Sequence, residues 1–356
     1  MWMSDGDLLA LQRQGEHHIG LSLTAACPMT CSHCAAATVP ARDHAKVGMA
    51  ADLVARFCGE LPALAARGVT RLSLTGGEPI LALGAVADLS RAARAAGVAT
   101  TVVTGLFWAT SAASRRRIIA ALPDVDCWNI SWDRFHAAYV KLAHVVAAVG
   151  DLRAAGVRVT LRVATAGEDD PHLAALARAL PDTEIAVQPI LPVGRAAVDT
   201  PPATGAEEAP RWPCLSTGPL VMPDGTARPC CSAMMEEPDH PFAARTARDG
   251  LVALHRAWLD DPLLLLIRAL GFRPVLRLLR ILAPDHPLLA GTAPHPCAVC
   301  ATLFRDPALA GRLADAARAP ALAAQVRAAA TVIFPAPPTP SPSPVSSKES
   351  RHAHAS

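Results

Sequence analysis

The chain has 356 residues, of which 51% are hydrophobic, 18% charged and 4% aromatic, with a formal net charge of +2. That length allows one large or two medium domains, and so apolar a composition buries a core without covalent staples, which excludes a disordered chain. The basic residues are scattered and Tyr139 is the single tyrosine, so neither a phosphate-binding stripe nor a base-stacking platform is present and no nucleic acid partner is expected.

Residues 1–17 read as a terminal extension. Asp5, Asp7 and Glu16 stand where an export signal needs a basic start and an apolar run, so a cytoplasmic protein is expected, with no recognition domain ahead of the first strand. That strand is predicted over Ile19 to Thr24 and leads into "CPMTCSHC", Cys27 to Cys34. A helix over Met49 to Ala66 and a strand over Val69 to Leu74 follow, then "LTGGEPIL". Next come a helix over Ala85 to Ala96, a strand over Ala99 to Thr104, and "TGLFW". A helix over Ser111 to Leu122 and a strand over Cys127 to Trp132 end in "SWDRFH". The helix Ala137 to Ala154, the strand Arg158 to Ala164, the helix Pro171 to Leu180 and the strand Glu184 to Ile190 complete the series before "LPVGRA". Gly68, Gly97 and Gly156 supply helix stop signals. Six strands joined by five helices predict a parallel α/β sheet, curled by right-handed crossovers into a partial or full barrel over 18–197. Ligands of such sheets sit beyond the C-terminal strand ends, where all five unusual stretches fall.

After Ala197 a proline-rich linker opens a smaller, cysteine-bearing α+β module over 198–333, in which "PDG" predicts a hairpin turn. The stretch "DPLLLLIRALGFRPVLRLLRILAP" is interrupted by Arg268, Arg273, Pro274, Arg277 and Arg280, so it predicts two amphipathic helices around Gly271 to Pro274 and no transmembrane segment. A last helix is predicted over Pro307 to Ala330. Residues 334–356 are Pro/Ser-rich and predicted to be disordered, with His352 and His354 solvated.

Ten cysteines without an export signal point to metal binding or catalysis, because the cytosol keeps thiols reduced. A structural zinc site closes four ligands around the ion, usually as two CxxC-like pairs. Cys27, Cys31 and Cys34 share one short loop with no second pair nearby, and His33 would strain to complete the set. A 4Fe-4S cluster held by three thiolates leaves one iron open for a substrate. In "LTGGEPIL", Gly76 and Gly77 let the backbone approach a ligand and Glu78 offers a carboxylate suited to an ammonium. Cys58 and Cys127 lie in apolar contexts and read as core residues.

Cx3Cx2C after the first strand and GGEP after the second together resemble the radical SAM superfamily. The resemblance spans Gly20 to Ala197. It implies that Cys27, Cys31 and Cys34 ligate a 4Fe-4S cluster, whose open iron binds the amino and carboxylate groups of S-adenosylmethionine. Thr75, Gly76, Gly77, Glu78 and Pro79 would then lie along the methionine amine. One electron cleaves the sulfonium to methionine and a 5'-deoxyadenosyl radical, which abstracts a substrate hydrogen. His33 stands where the family usually has an aromatic residue and is expected near the adenine. "VVTGLF" takes the place of T-N-G, which implies Thr104 near the cofactor carboxylate or ribose. "NISWDRFH" implies Ser131 at the same groups, with Asp133 facing the active site. Arg162 is expected either to clamp the carboxylate or to form a strand-end salt bridge. "VGRA" resembles the adenine-side turn, with Gly194 as the contact and Arg195 as a surface charge. Asp133, His136 and Cys231 are the catalytic candidates, although a histidine starting a helix is more often a cap or a packed side chain.

The run from Cys214 to Cys230, Cx10Gx4C, followed by "CAVC", is similar to the SPASM/twitch extension of these enzymes. That implies an auxiliary 4Fe-4S cluster on Cys214, Cys230, Cys297 and Cys300, with a four-thiolate zinc site as the alternative. Cys231 reads as buried, as a substitute ligand or as a hydrogen donor. The resemblance implies a reducing partner such as a flavodoxin or ferredoxin. The substrate is expected to be a ribosomally made peptide undergoing crosslinking, epimerisation or oxidation, or else a small-molecule metabolite. A non-catalytic iron-sulfur or zinc protein, or an electron carrier, is the reading from another class.

Overall fold

The computed structural model describes residues 5–36, 38–165, 169–191, 193–198, 214, 216–230, 239–290 and 296–334. Six parallel strands form its centre: β1 His18–Ser22, β2 Arg71–Thr75, β3 Ala99–Thr104, β4 Cys127–Ser131, β5 Arg158–Thr165 and β6 Glu184–Pro189. They lie side by side in chain order, so each crossover advances in one direction around the sheet. Crossovers of one hand advancing one way place every helix on the same face. The burial pattern agrees. Leu72, Leu74, Val102, Ile130, Leu161 and Val163 are buried completely, whereas Ser73, Thr75, Thr101, Asn129, Ser131, Thr160 and Arg162 on the other face are partly accessible. The covering helices are α2 Ala51–Ala66, α3 Leu83–Ala95, α4 Ala112–Ala121, α5 Leu142–Ala154 and α6 Pro171–Ala179. Helix α2 illustrates the packing: Leu53, Val54, Phe57, Leu61 and Leu64 are buried along one side, each contributing about 1.5–3 kcal/mol of hydrophobic stabilisation. The result is an α/β partial barrel with a polar open face.

The predicted strands and the observed ones agree to within two residues at most ends. One helix does not begin as predicted. Residues 134–140 form turns and α5 starts at Leu142, because the Asp133 carboxylate accepts from the backbone N–H groups of Phe135 and His136 at 3.0 and 3.2 Å.

The segment assigned to a second module also extends the central sheet. The short strand β7, Leu220–Val221, pairs parallel to β1, and β8, Ala227–Arg228, returns antiparallel around the predicted Pro223-Asp224-Gly225 turn. Beyond it lie α7 Leu251–Asp260, whose Leu251, Leu254 and Trp258 join the core of the central sheet, and α8 Pro262–Leu270, α9 Phe272–Leu282, α10 Pro296–Leu303, α11 Pro307–Ala317 and α12 Pro320–Ile333, which share a second apolar core. The two amphipathic helices expected around Gly271 are α8 and α9, which meet at that residue, with α7 ahead of them. The expected last helix is divided, into α11 and α12. Prolines cause these breaks: Asp261-Pro262 and Asp306-Pro307 each pair a carboxylate cap with a proline at the first turn, and Pro320 starts α12. The terminal extension folds as α1, Asp5–Gly15. Most of the expected linker and the tail beyond residue 334 lie outside the described residues, and no helix among those described is long and apolar enough to cross a membrane.

Candidate functional site

The cysteine loop leaves β1 at the C-terminal rim of the sheet. Its base is closed where Ala26 and Cys27 pair with Val39 and Pro40. Strand β2 lies beside β1, so the turn that follows it meets this loop. The Gly77 N–H donates to Thr24 O at 2.6 Å and the Glu78 N–H to Ala26 O at 2.9 Å. A Cβ on Gly76 would collide with the Thr24 backbone, and one on Gly77 with the Ala26 backbone. The double glycine therefore brings two backbones together, joining the "TGGEP" turn to the entry of the cysteine loop.

Glu78 differs from its expected role. Its side chain is fully buried, and its oxygens accept from the Thr104 hydroxyl at 2.8 and 3.0 Å, the Gly105 N–H at 3.0 Å and the Ile80 N–H at 3.3 Å. Burial pushes its carboxyl up to about 7, against the opposing pull of those hydrogen bonds. Thr104 is equally occupied: its Oγ1 also accepts from the Leu106 N–H and the Trp108 indole N–H. It lies on the helix-covered side of β3, with Val102 and Thr100. These two side chains lock the ends of β2 and β3 together. What remains for a ligand at this turn is the backbone of residues 75–77 and the Thr75 side chain on the open face.

Cys27 and Cys31 are buried and Cys34 is partly exposed. Burial pushes the Cys27 and Cys31 thiols up to about 11 and 12, helped at Cys27 by the Glu78 carboxylate and then Cys34, and at Cys31 by the other two thiols. Three such thiols become thiolates only when a cationic centre compensates them, which is what an iron-sulfur cluster provides. The donor set fits that group.

Arg195 was expected at the surface and is not there. Its Nε donates to Cys31 O at 2.8 Å, its Nη1 to Thr38 O at 3.1 Å and its Nη2 to Thr38 Oγ1 at 3.2 Å. Its N–H also donates to Cys34 O at 2.9 Å. Gly194, with φ +56°, has no room for a Cβ against the backbone of Cys34 and Ala35. The "VGRA" turn thus clamps the cysteine loop. Arg195→Ala should cost the loop about 2–3 kcal/mol of hydrogen bonding, seen as faster loss of cluster absorbance under chelator. Arg195→Lys should not restore it, because one ammonium cannot span Cys31 and Thr38.

A third support comes from the segment after β4. The Tyr139 hydroxyl meets the Thr30 N–H and hydroxyl at 3.2 and 2.8 Å. His33 stacks on Phe135 with ring centroids 4.1 Å apart, and its Nε2 lies 3.5 Å from the Asp133 carboxylate. His136 donates through Nδ1–H at 2.8 Å to the same carboxylate. Asp133 is buried, which alone would raise its carboxyl; the bond from His136 and the other donors hold it below the usual carboxylate range. His33, Asp133 and His136 bring three potential ligand atoms within 4.8 Å of one another. Ser131 and Arg162 are register partners on the open face, and the strand-end salt bridge considered for Arg162 is not formed among the described residues. Asn129, on the same face as Ser131, keeps a buried Oδ1 without a hydrogen-bond partner; nothing in the sequence distinguished it from an ordinary strand residue.

The second group of cysteines gathers in the C-terminal module. Cys214, Cys230 and Cys300 pack against its apolar core. Burial, followed by the charges of Cys230, Cys214 and Cys297, pushes the Cys300 thiol far up, so the four thiols share one environment. Cys297 meets Val193, Ala301 and Ala35 in a small apolar patch. Ala35 follows Cys34, so this patch joins the two cysteine sites. Cys231 lies outside the described residues.

Over residues 15–128 the chain matches the family described as a 4Fe-4S single cluster domain, a stretch that contains both Cys27 to Cys34 and the "TGGEP" turn. No curated protein matches the chain. Among solved structures it is similar to Streptococcus suis SuiB, in a crystal structure of that protein bound to S-adenosylmethionine, with 14% identity and a TM-score of 0.46. That similarity covers 71% of this chain and 66% of the other, so the chain spans less than two thirds of its neighbour's length.

Proposed function

We propose that the protein is a radical SAM oxidoreductase, with a SAM-binding 4Fe-4S cluster on Cys27, Cys31 and Cys34 and an auxiliary 4Fe-4S cluster on Cys214, Cys230, Cys297 and Cys300. The observation that carries this reading is the union of the three-cysteine loop and the "TGGEP" turn into one hydrogen-bonded unit at the C-terminal rim. When bound, the first cluster supplies one electron that breaks the sulfonium C–S bond of S-adenosylmethionine, giving methionine and the 5'-deoxyadenosyl radical that takes a substrate hydrogen atom. The protein's part is to bind and orient. The backbone at Thr75 to Gly77 receives the methionine amine, Arg162 and Ser131 receive the carboxylate or ribose, and His33, flattened on Phe135, borders the adenine. A flavodoxin or ferredoxin supplies the electron.

The substrate we favour is a ribosomally made peptide. Strand β6 ends the sheet, no strand pairs its outer side among the described residues, and Val187 there is 52% exposed. An extended peptide adds to such an edge through main-chain hydrogen bonds and is led toward the rim. The Asp133 carboxylate fixes the His136 ring and leaves Nε2 to meet the substrate. Accordingly, His136→Ala should lower product formation about a hundredfold, while substrate-independent deoxyadenosine formation persists.

The test is anaerobic reconstitution followed by reduction and addition of S-adenosylmethionine. About eight irons per chain and formation of 5'-deoxyadenosine support the reading. Intact, reduced clusters without deoxyadenosine overturn it in favour of an electron carrier or structural iron-sulfur protein, and turnover of a metabolite but of no peptide would reassign the substrate.

A further inference from the structure

Arg268 is the most deeply buried charge among the described residues of the C-terminal module. Arg273, Arg277 and Arg280 of the neighbouring helix α9 are exposed, but Arg268 in α8 is 2% exposed. Its guanidinium lies over the ring of Trp258, 4.1 Å from the centroid, and 4.8 Å from that of Phe334. Nη2 donates to the Glu16 carboxylate of α1. Nε and Nη1, however, are buried without a hydrogen-bond partner among the described residues. A charged group whose donors are orphaned in the interior is costly unless something supplies negative charge.

Besides Glu16, the second cysteine site can supply it. The Cys214 N–H donates to the carbonyl of Ile267, the residue before Arg268, at 3.1 Å. Cys214 is also close enough to Arg268 for their charges to act on each other. Four thiolates and an iron-sulfur core at this site carry net negative charge and sulfur acceptors, and both grow stronger on reduction. Hydrogen bonds and positive charge near such sulfurs stabilise the reduced state and raise the reduction potential.

We infer that Arg268 is a tuning residue of the auxiliary cluster: a buried cation whose unpaired Nε and Nη1 donors serve the cluster and raise its potential, with Glu16 tempering that charge. This inference rests on the second-cluster reading above. It gives the auxiliary site the electron-accepting side of the reaction, because a raised potential favours taking an electron from a substrate radical. Arg268 acts through the cluster and touches no substrate, so it is a positioning and tuning group.

The experiment is a redox titration of the full, anaerobically reconstituted chain, followed by low-temperature EPR. Three variants are compared with the parent: Arg268→Gln, Arg268→Lys and Glu16→Gln. In Arg268→Gln the reduced-to-oxidised ratio of the auxiliary signal at a fixed ambient potential should fall about tenfold, a shift of about 59 mV for one electron. The signal that responds to S-adenosylmethionine should stay in place. Arg268→Lys keeps the charge and should recover part of the loss. Glu16→Gln should move the auxiliary potential in the opposite direction. A purely structural knot predicts otherwise, since both Arg268→Gln and Glu16→Gln would lower thermal stability and neither would move one signal selectively. If Arg268→Gln does not fold, the lysine and Glu16 variants carry the test. About eight irons in the parent with unmoved potentials overturns this inference alone. About four irons, with zinc at the second site, overturns the second-cluster reading and this inference with it.

Discussion

Replacement of any one of Cys27, Cys31 or Cys34 by alanine is expected to remove about four irons per chain and to abolish 5'-deoxyadenosine formation. The three thiols lie in one loop closed at its base by Cys27 and Pro40. That loop is held by Arg195, Tyr139 and the "TGGEP" turn, so its fold does not depend on each thiol. Loss of one thiolate leaves too few ligands for a cluster with an open iron, and His33, the imidazole of the loop, is stacked on Phe135 beside Asp133 and does not replace it. The EPR signal that responds to S-adenosylmethionine should vanish, while the other signal persists. Cys300→Ala should do the reverse. Cys127→Ala, which alters a buried strand residue remote from both groups, should retain the full iron content and both signals. Loss of iron from Cys127→Ala equal to that from Cys31→Ala would contradict the assignment.

Glu78 gives the second large effect, and it acts through structure. Glu78→Ala removes acceptors from Thr104, Gly105 and Ile80 in a site with no access to water, which costs about 2–4 kcal/mol. The double-glycine turn then loses its anchor, and affinity for S-adenosylmethionine should fall at least about tenfold. Unchanged affinity and turnover would show that the turn does not bind the cofactor. Glu78→Gln keeps the shape and makes a pH test possible. The folded carboxyl is raised from 4.5 to about 7, so the native state holds this proton more tightly than the unfolded chain. That contribution is complete below pH 4.5 and is lost as pH rises through about 7. Relative to Glu78→Gln, the parent should therefore lose about 3 kcal/mol of stability across that window. Denaturant midpoints of the cluster-free proteins would report it. Buried His18 and His255 and the partly buried His33, lowered mainly by burial to about 4, and His240, lowered to about 3, act with the opposite sign. They lose stability as pH falls below 6.5, and they cancel in the comparison because both proteins contain them.

Much of this architecture is legible in the chain alone. Strands such as "RLSLT" alternate apolar and polar residues because one face of the sheet lies under helices and the other lines the open face. The cysteine spacing and the double glycine mark the rim because their chemistry is unusual for a loop. The missed features share a different cause. Arg195 reaches Cys31 across 164 positions, and Arg268 reaches Glu16 across 252. No local pattern reveals whether such an arginine is solvated or buried. Tyr139 was noted only as the single tyrosine, and the helix expected from Ala137 starts at Leu142 because Asp133 caps the turns that precede it. Glu78 was legible as a residue of consequence, but the direction of its carboxylate depends on Thr104 and Gly105 of the next strand, whose pairing the sequence does not display.

The measurement that bears most directly on the central claim is the low-temperature EPR spectrum of the reduced, reconstituted protein before and after S-adenosylmethionine is added. The account predicts two signals, of which one shifts on addition while the other does not, and predicts that the shifting one is absent from Cys31→Ala. Two intact signals that both ignore S-adenosylmethionine would contradict an open iron at Cys27, Cys31 and Cys34.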